Sequence, residues 1–353
     1  MKRIKFILKL IVFLCIFFIL LGSISYSARP DSDMKERFAG FYSEPKNTID
    51  VIAIGASPIS PLLASPYIWN EYGITSYPLS TNAQPVAAVK YIIEDAHKTQ
   101  KDSLFIVDTT MFMVETDVLL TEPRIRNVVD NMKYSLTRVK AIKDMVEDKN
   151  KRIDYYFDIS KYHSAILGKN GLNTDDIKYF DFKNESIYKG YLFTEAVDIF
   201  EPVSVEHITE VNPMPESAEA VLVELMNYCE KKDISLLFIT CPYIASEDNK
   251  MEHNYIENLV LEHGYDYLDF NDLYEEMDID FGKDFYNTNH MNVYGAEKFS
   301  KYLGNYLKDN YKLQDKKGYE GYEAWDESYI VWKEKADISK KNTDENLDKL
   351  NNK

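Results

Sequence analysis

Cysteine is scarce, at three in 353 residues, and no Cys-x-x-Cys or Cys/His spacing suited to zinc occurs. A dense disulfide framework and a structural zinc site are therefore excluded. Cys15 lies in an apolar N-terminal run. Cys229 and Cys241 remain, enough for one disulfide, but two buried free thiols are the expected state because cysteine is among the most buried residue types. Basic residues are also in deficit, with 41 Lys and Arg against 58 Asp and Glu, a net charge of −17. Four of the positive charges (Lys2, Arg3, Lys5, Lys9) and no acid fall in the first 27 residues, which leaves 37 against 58, a net of −21, in the rest. Such a body does not bind nucleic acid non-specifically. It is repelled by polyanionic polymers unless a local basic patch or divalent cations intervene. No internal repeat is present. Aromatics are plentiful, with 27 Tyr and 18 Phe, and hydrophobic content is 45%, which excludes a disordered chain and suffices for one large domain or two small ones.

The N-terminus carries an address. After Lys9 the chain runs from Leu10 to Ala28 without a charge. That pattern suits a secretory signal or a single transmembrane helix. Ser25-Tyr26-Ser27 is a poor cleavage site and Cys15 sits mid-run, not in a lipobox, so a retained anchor over residues 1–28 is expected; the alternative is secretion after cleavage. Basic residues before the apolar run orient the remainder away from the cytoplasm.

Residues 29–48 read as a polar stalk. Beyond it, short apolar β-branched runs alternate with amphipathic stretches. Strands are expected at about 50–54, 74–79, 104–107, 235–240 and 265–270. Helices are expected at 67–72, from Pro85 onward with Val86, Val89, Ile92, Ile93 and Ala96 on one face, and at 125–146, 217–229, 255–263 and 293–311. This alternation predicts an α/β fold with a mostly parallel five-stranded sheet covered on both sides, a three-layer α/β/α arrangement. Residues 150–212 are aromatic and without period and read as an insertion within the domain at 49–312. Residues 313–353 read as a charged tail. Trp325 and Trp332 are candidates to pack back on the body, and 337–353 is expected to be disordered.

Ligands in such folds bind at the carboxyl ends of the strands. Ile52-Ala53-Ile54-Gly55-Ala56-Ser57 puts a serine directly after the first buried strand. Asp284-Phe285-Tyr286-Asn287-Thr288-Asn289-His290 puts a histidine on a loop before the last helix. A serine and a histidine so placed suit hydrolase or acyl-transferase chemistry, because a hydroxyl is a weak nucleophile until a base takes its proton. Ser60 is the fallback nucleophile. Asp284 and Asn287 are both within reach of His290 as its third partner, with Asp280 more remote. Asp108, at the end of the third strand, is assigned to substrate positioning. His163 is a second candidate for substrate contact, although a packed ring is the simpler role, and His97, His207, His253 and His263 are read as surface residues. No metal or cofactor site is identified.

The order strand, Gly-Ala-Ser, α/β body and Asn-His before a last helix resembles the SGNH (GDSL-type) hydrolase superfamily over about residues 48–312. It resembles more closely the membrane-anchored branch that includes the D-alanyl-lipoteichoic acid biosynthesis protein and related cell-envelope acyltransferases. Gly55-Ala56-Ser57, Tyr77-Pro78-Leu79-Ser80-Thr81-Asn82-Ala83-Gln84-Pro85, Tyr188-Lys189-Gly190-Tyr191 and 285–296 carry the likeness. The resemblance implies an SGNH, flavodoxin-like sheet. It implies Ser57 as nucleophile, His290 as base, and Gly55, Asn82, Asp108 and Thr109 about the oxyanion hole or substrate. It also implies a D-alanyl or acetyl group passed to an envelope glycopolymer hydroxyl or to water, with a membrane-bound O-acyltransferase as partner. Three positions depart from the family pattern. Asn287 stands where an aspartate is usual, Val107-Asp108-Thr109-Thr110 lacks the third-block asparagine, and the second-block glycine is missing. These departures make a non-catalytic binding or scaffold module the rival reading. A lipid-active esterase is a third, without specific residue support.

Overall fold

The computed structural model describes residues 2–167 and 186–352. Residues 168–185 of the predicted insertion lie outside the described residues. In chain order the first half contains α1 (Lys2–Ser27), α2 (Asp33–Ser43), β1 (Val51–Ile54), α3 (Ile59–Leu62), α4 (Ser65–Tyr72), β2 (Ser76–Pro78), α5 (Val86–Ala96), β3 (Leu104–Asp108), α6 (Thr116–Leu119), α7 (Glu122–Val129), α8 (Leu136–Met145), α9 (Arg152–Tyr156) and α10 (Ile159–Leu167). The second half contains α11 (Glu216–Lys232), β4 (Leu236–Thr240), α12 (Glu247–Glu262), β5 (Asp266–Asp269), β6 (Phe285–Asn287), β7 (His290–Met291), α13 (Val293–Asn310) and α14 (Glu323–Asn351).

The five predicted strands form one sheet in the order β2-β1-β3-β4-β5, and every neighbouring pair is parallel. Successive residues of a strand point to opposite faces. Ile52, Ile54, Phe105, Val107 and Phe238 accordingly enter one apolar cluster, and Val51, Ala53, Leu104, Ile106, Leu237 and Ile239 enter another. Burial on both faces is why these strands read as continuous apolar runs. Pro78 is tolerated because β2 is an edge strand. The chain steps from β1 outward to β2, then back past β1 to β3, so the strand order reverses between β1 and β3. Crevices at such reversals are where open parallel sheets bind ligands.

Three local expectations are corrected. The helix expected over 125–146 is two helices, α7 and α8. Ser135 ends the connection by capping α8, its Oγ accepting from the Arg138 N–H at 3.2 Å. The stalk contains α2, whose Phe38 and Phe41 are each 1% exposed. Its charges misled because Arg37 is buried with its guanidinium donating to the carbonyls of Gly190 at 3.0 Å and Ser80 at 2.9 Å. Residues 337–353, expected to be disordered, supply the second half of α14, and Trp325 and Trp332 in its first half pack on the body as expected. Trp325, Ser328, Trp332, Ala336, Ser339 and Thr343 recur at helical spacing and are all buried. The Trp69 indole lies between this helix and its approach, with ring centroids 5.8 Å from Tyr322 and 5.9 Å from Trp325.

α1 is long and apolar enough to cross a membrane. Its outer residues are exposed up to Leu20, whereas Ser25 to Arg29 are buried against the domain. Arg29 Nε donates to Asp158 Oδ2 at 2.9 Å, Tyr134 Oη donates to the same oxygen at 2.7 Å, and Arg138 Nη2 donates to Asp158 Oδ1 at 2.7 Å. Asp158 is fully buried. Removing one partner of a buried ion pair strands the other charge, at a cost of about 3–5 kcal/mol. Asp158→Ala is therefore expected to lower the stability of the full chain by about that amount, read by chemical denaturation in detergent micelles. An unchanged midpoint would show that the cluster contributes no net stability.

Candidate active site

Ser57 and His290 converge because each is held by a different rigid element. Ser57 sits in the turn between β1 and α3. Gly55 permits that turn, since a Cβ there would stand 2.7 Å from the Asp108 Cβ and 2.8 Å from Ile59 Cγ1. His290 opens the second strand of a small antiparallel hairpin, β6–β7, directly opposite Asn287 across Thr288-Asn289. Three bonds pin this hairpin. The Ile244 N–H donates to the Thr288 carbonyl at 2.7 Å, the Asp198 N–H to the Phe285 carbonyl at 2.9 Å, and the Asn292 N–H to the Asp284 carbonyl at 2.9 Å. Asn292 then caps α13, accepting from the Tyr294 N–H at 3.0 Å, while its amide donates to the Lys283 carbonyl at 2.7 Å.

His290 Nε2 lies 2.8 Å from Ser57 Oγ, and His290 Nδ1 lies 2.9 Å from Asn287 Oδ1. The tautomer follows from a third contact. Asn287 Oδ1 also accepts the Asn289 backbone N–H at 2.9 Å. A backbone N–H only donates, so this atom of the amide is its oxygen, and the imidazole nitrogen facing it carries the proton. Nε2 therefore presents a lone pair, and Ser57 Oγ–H donates to it. The Tyr286 ring packs over the imidazole, with centroids 5.2 Å apart and planes at 26°. Burial lowers the His290 pKa from its ordinary 6.5, which keeps the ring neutral and basic at physiological pH.

Asp284 is placed differently. It is 1% exposed, and its Oδ2 accepts from Lys298 Nζ at 2.8 Å and the Asp280 N–H at 2.7 Å. Both ring nitrogens of His290 are engaged by Ser57 and Asn287, so Asn287 is the residue brought to the imidazole. Asp280 turns back on Gly282, whose N–H it accepts at 2.8 Å.

Asp108 ends β3 beside Gly55. Its Oδ1 accepts from Thr110 Oγ1 at 2.7 Å and from the Cys241 N–H at 3.2 Å. Its Oδ2 is buried without a hydrogen-bond partner among the described residues, 3.2 Å from where a Gly55 Cβ would stand. Burial raises the Asp108 pKa against the pull of those donors, an environment that favours the neutral acid. Thr109 is fully buried with its hydroxyl committed to the Ile239 carbonyl at 3.1 Å and Thr240 Oγ1 at 2.7 Å. Asn82 is exposed, its N–H at 3.3 Å from Met34 Sδ and its carbonyl accepting from Asn127 Nδ2 at 3.2 Å. Ser60 is buried within α3. His163 is exposed on α10, with Nδ1 2.9 Å from the Ser160 carbonyl. Cys229 and Cys241 are buried free thiols.

His253 is a correction. It is fully buried, with Nδ1 2.8 Å from Asp269 Oδ2 and Nε2 2.8 Å from Tyr243 Oη. This network underlies the segment after β4 that supplies Ile244 to the histidine hairpin. Its signal in the sequence is the Pro242-Tyr243-Ile244 stop directly after a buried strand; within its helix His253 is flanked by the polar Glu252 and Asn254.

The arrangement is suited to one chemistry. On this geometry Ser57 Oγ could attack an acyl carbon as His290 Nε2 takes its proton. The same nitrogen would then protonate the leaving group, with an acyl-Ser57 ester remaining. An incoming hydroxyl would give its proton to Nε2 and attack the acyl carbon, and that proton would return to Ser57 Oγ as its bond to the acyl group breaks. Asn287 would orient the ring through both steps, but it offers an amide dipole where a carboxylate would neutralise the imidazolium. Comparison with family models, curated proteins and solved structures returned no match.

Proposed function

We propose that this chain is a membrane-anchored serine acyltransferase or esterase of the SGNH type, acting on O-acyl esters of a bacterial cell-envelope glycopolymer. The observation that carries the proposal is the line of hydrogen bonds from Ser57 through His290 to Asn287, at 2.8 and 2.9 Å. The parallel sheet with its strand-order reversal beside Ser57, and the apolar clusters on its two faces, support the finer reading of a three-layer α/β/α domain. The motif likeness supports D-alanyl or acetyl as the acyl group and a membrane-bound O-acyltransferase as the partner that delivers it. The basic residues ahead of the apolar run of α1 support an extracytoplasmic domain.

One observation favours a second reading. Asn287 does not neutralise a protonated His290, and this is the feature expected of an SGNH-fold module that binds polymer or scaffolds an acylation complex. The two readings part in a complementation experiment. In cells lacking the gene, a Ser57→Ala chain expressed at parental level is expected to leave envelope ester content as low as the deletion does. Full restoration by Ser57→Ala would reject the enzyme and favour the scaffold.

A further inference from the structure

The sequence between Lys133 and Lys161 departs from the rest of this acidic chain. It holds eight Lys and Arg against five Asp and Glu. It also displays large apolar side chains to solvent. Leu136 is 81% exposed and Val139 43%, three residues apart on α8; Ile153 is 54% exposed and Phe157 39%, four apart at α9. Lys143 is exposed on α8, and Lys149 and Lys151 before α9, interleaved with the exposed acids Asp144, Glu147, Asp148 and Asp154; Lys140, also exposed, is paired with Glu94 at 2.8 Å. Apolar residues beside cations are the composition of surfaces that lie in a membrane interface.

The position of this face relative to α1 gives it a partner. Tyr134, Tyr156 and Phe157 line an apolar cleft of about 340 Å³ whose other wall is Phe18, Ile19, Leu21 and Gly22 of α1. The uncharged run of 10–28 is 19 residues, about 28 Å of helix, close to the ~30 Å of a bilayer's hydrocarbon. The helix is apolar enough to span over Arg3–Ser27, and the ~20 residues a bilayer takes, counted from either Arg3 or Leu10, include Phe18 to Gly22, so that wall lies at leaflet depth. Whatever packs against it lies at the same depth. The buried Arg29–Asp158–Arg138 cluster fixes α1 to α8 and α10 and so fixes this orientation.

We propose that the α8–α9 face is a second membrane contact, resting on anionic phospholipid of the domain-side leaflet, with an acyl chain seated in the cleft between α1 and Tyr134, Tyr156 and Phe157. Leu136, Val139, Ile153 and Phe157 enter the headgroup boundary. Lys143, Lys149 and Lys151 meet the lipid phosphates. The domain is then held at one height and one tilt above the bilayer and does not swing on its helix. This inference rests on α1 crossing the membrane.

Tryptophan quenching by brominated acyl chains tests both statements separately. The native Trp69, Trp325 and Trp332 are at most 2% exposed, so they supply an unquenched background. Full-length protein is reconstituted in phosphatidylcholine vesicles with and without phosphatidylglycerol, all with brominated chains. Phe13→Trp reports the span of α1, and Leu136→Trp and Phe157→Trp report the face. Loss of emission at all three positions is expected, with the loss at Leu136→Trp greater when phosphatidylglycerol is present. Quenching at Phe13→Trp alone would overturn the docked face and leave the anchor standing. Quenching at none would reject the anchor and the face with it. Equal quenching of Leu136→Trp in both compositions would overturn the part given to the lysines.

Discussion

Asn287→Asp is expected to raise turnover of an activated ester such as p-nitrophenyl acetate by about 10²- to 10⁴-fold. The upper figure is the cost of the reverse change in the serine-protease triad. The reason is local. A carboxylate at 287 would stand where the amide oxygen now stands, 2.9 Å from His290 Nδ1, and would stabilise the imidazolium formed as Ser57 attacks. The pH profile should move with it. In the parent, burial lowers the His290 pKa below 6.5, so the acid limb of the rate lies below that value. A neighbouring carboxylate favours the protonated ring, and the limb should shift to higher pH in the variant. The sign for stability follows from the same burial. With its folded pKa depressed, His290 contributes stability that is present above pH 6.5 and is lost as pH falls through its folded value. A variant with parental turnover and an unmoved acid limb would show that His290 is not the base.

His290→Ala is expected to reduce the same turnover by about 10²- to 10⁴-fold, what remains of a roughly 10⁶-fold triad once the missing carboxylate is set aside, and Ser57→Ala by a similar factor. The more discriminating result concerns the pair. Residues that act as one unit are strongly non-additive, because a nucleophile without its base and a base without its nucleophile are equally idle. The double variant should therefore be no slower than either single one. Factors that multiply would mean that the two side chains act separately, despite standing 2.8 Å apart.

What could be read from the sequence depended on which side chains fill the interior. The sheet was legible because Leu104-Phe105-Ile106-Val107 and Leu236-Leu237-Phe238-Ile239 are buried on both faces and carry no polar residue. α2 was not, because its inward face includes Arg37, which is satisfied by Asp33 one turn back and by carbonyls more than forty residues away. The end of α14 was not legible for a related reason. Its buried stripe continues through Ser339 and Thr343, whose hydroxyls bond Glu195 Oε1 at 3.2 Å and the Ser339 carbonyl at 2.9 Å. A scan for apolar periodicity takes such positions for solvent. His253 was misplaced because its partners Tyr243 and Asp269 lie on other elements, 10 and 16 residues away.

The site divides the same way. Ser57 and His290 were legible from their places after a buried strand and before the last helix. The choice between Asp284 and Asn287 was not, because both are close to His290 in the chain. Hairpin register decides it by setting Asn287 opposite His290, while Lys298 draws Asp284 away. Thr109 was expected near the oxyanion, but parallel pairing of β3 with β4 turns its hydroxyl to the Ile239 carbonyl.

The most direct test of the account is fluorophosphonate labelling of the full-length protein in detergent, followed by peptide mapping. A stoichiometric adduct on Ser57 that is absent from Ser57→Ala and His290→Ala is the predicted result. A folded parent that takes no label, or one labelled at Ser60 or elsewhere, would contradict the claim that His290 activates Ser57.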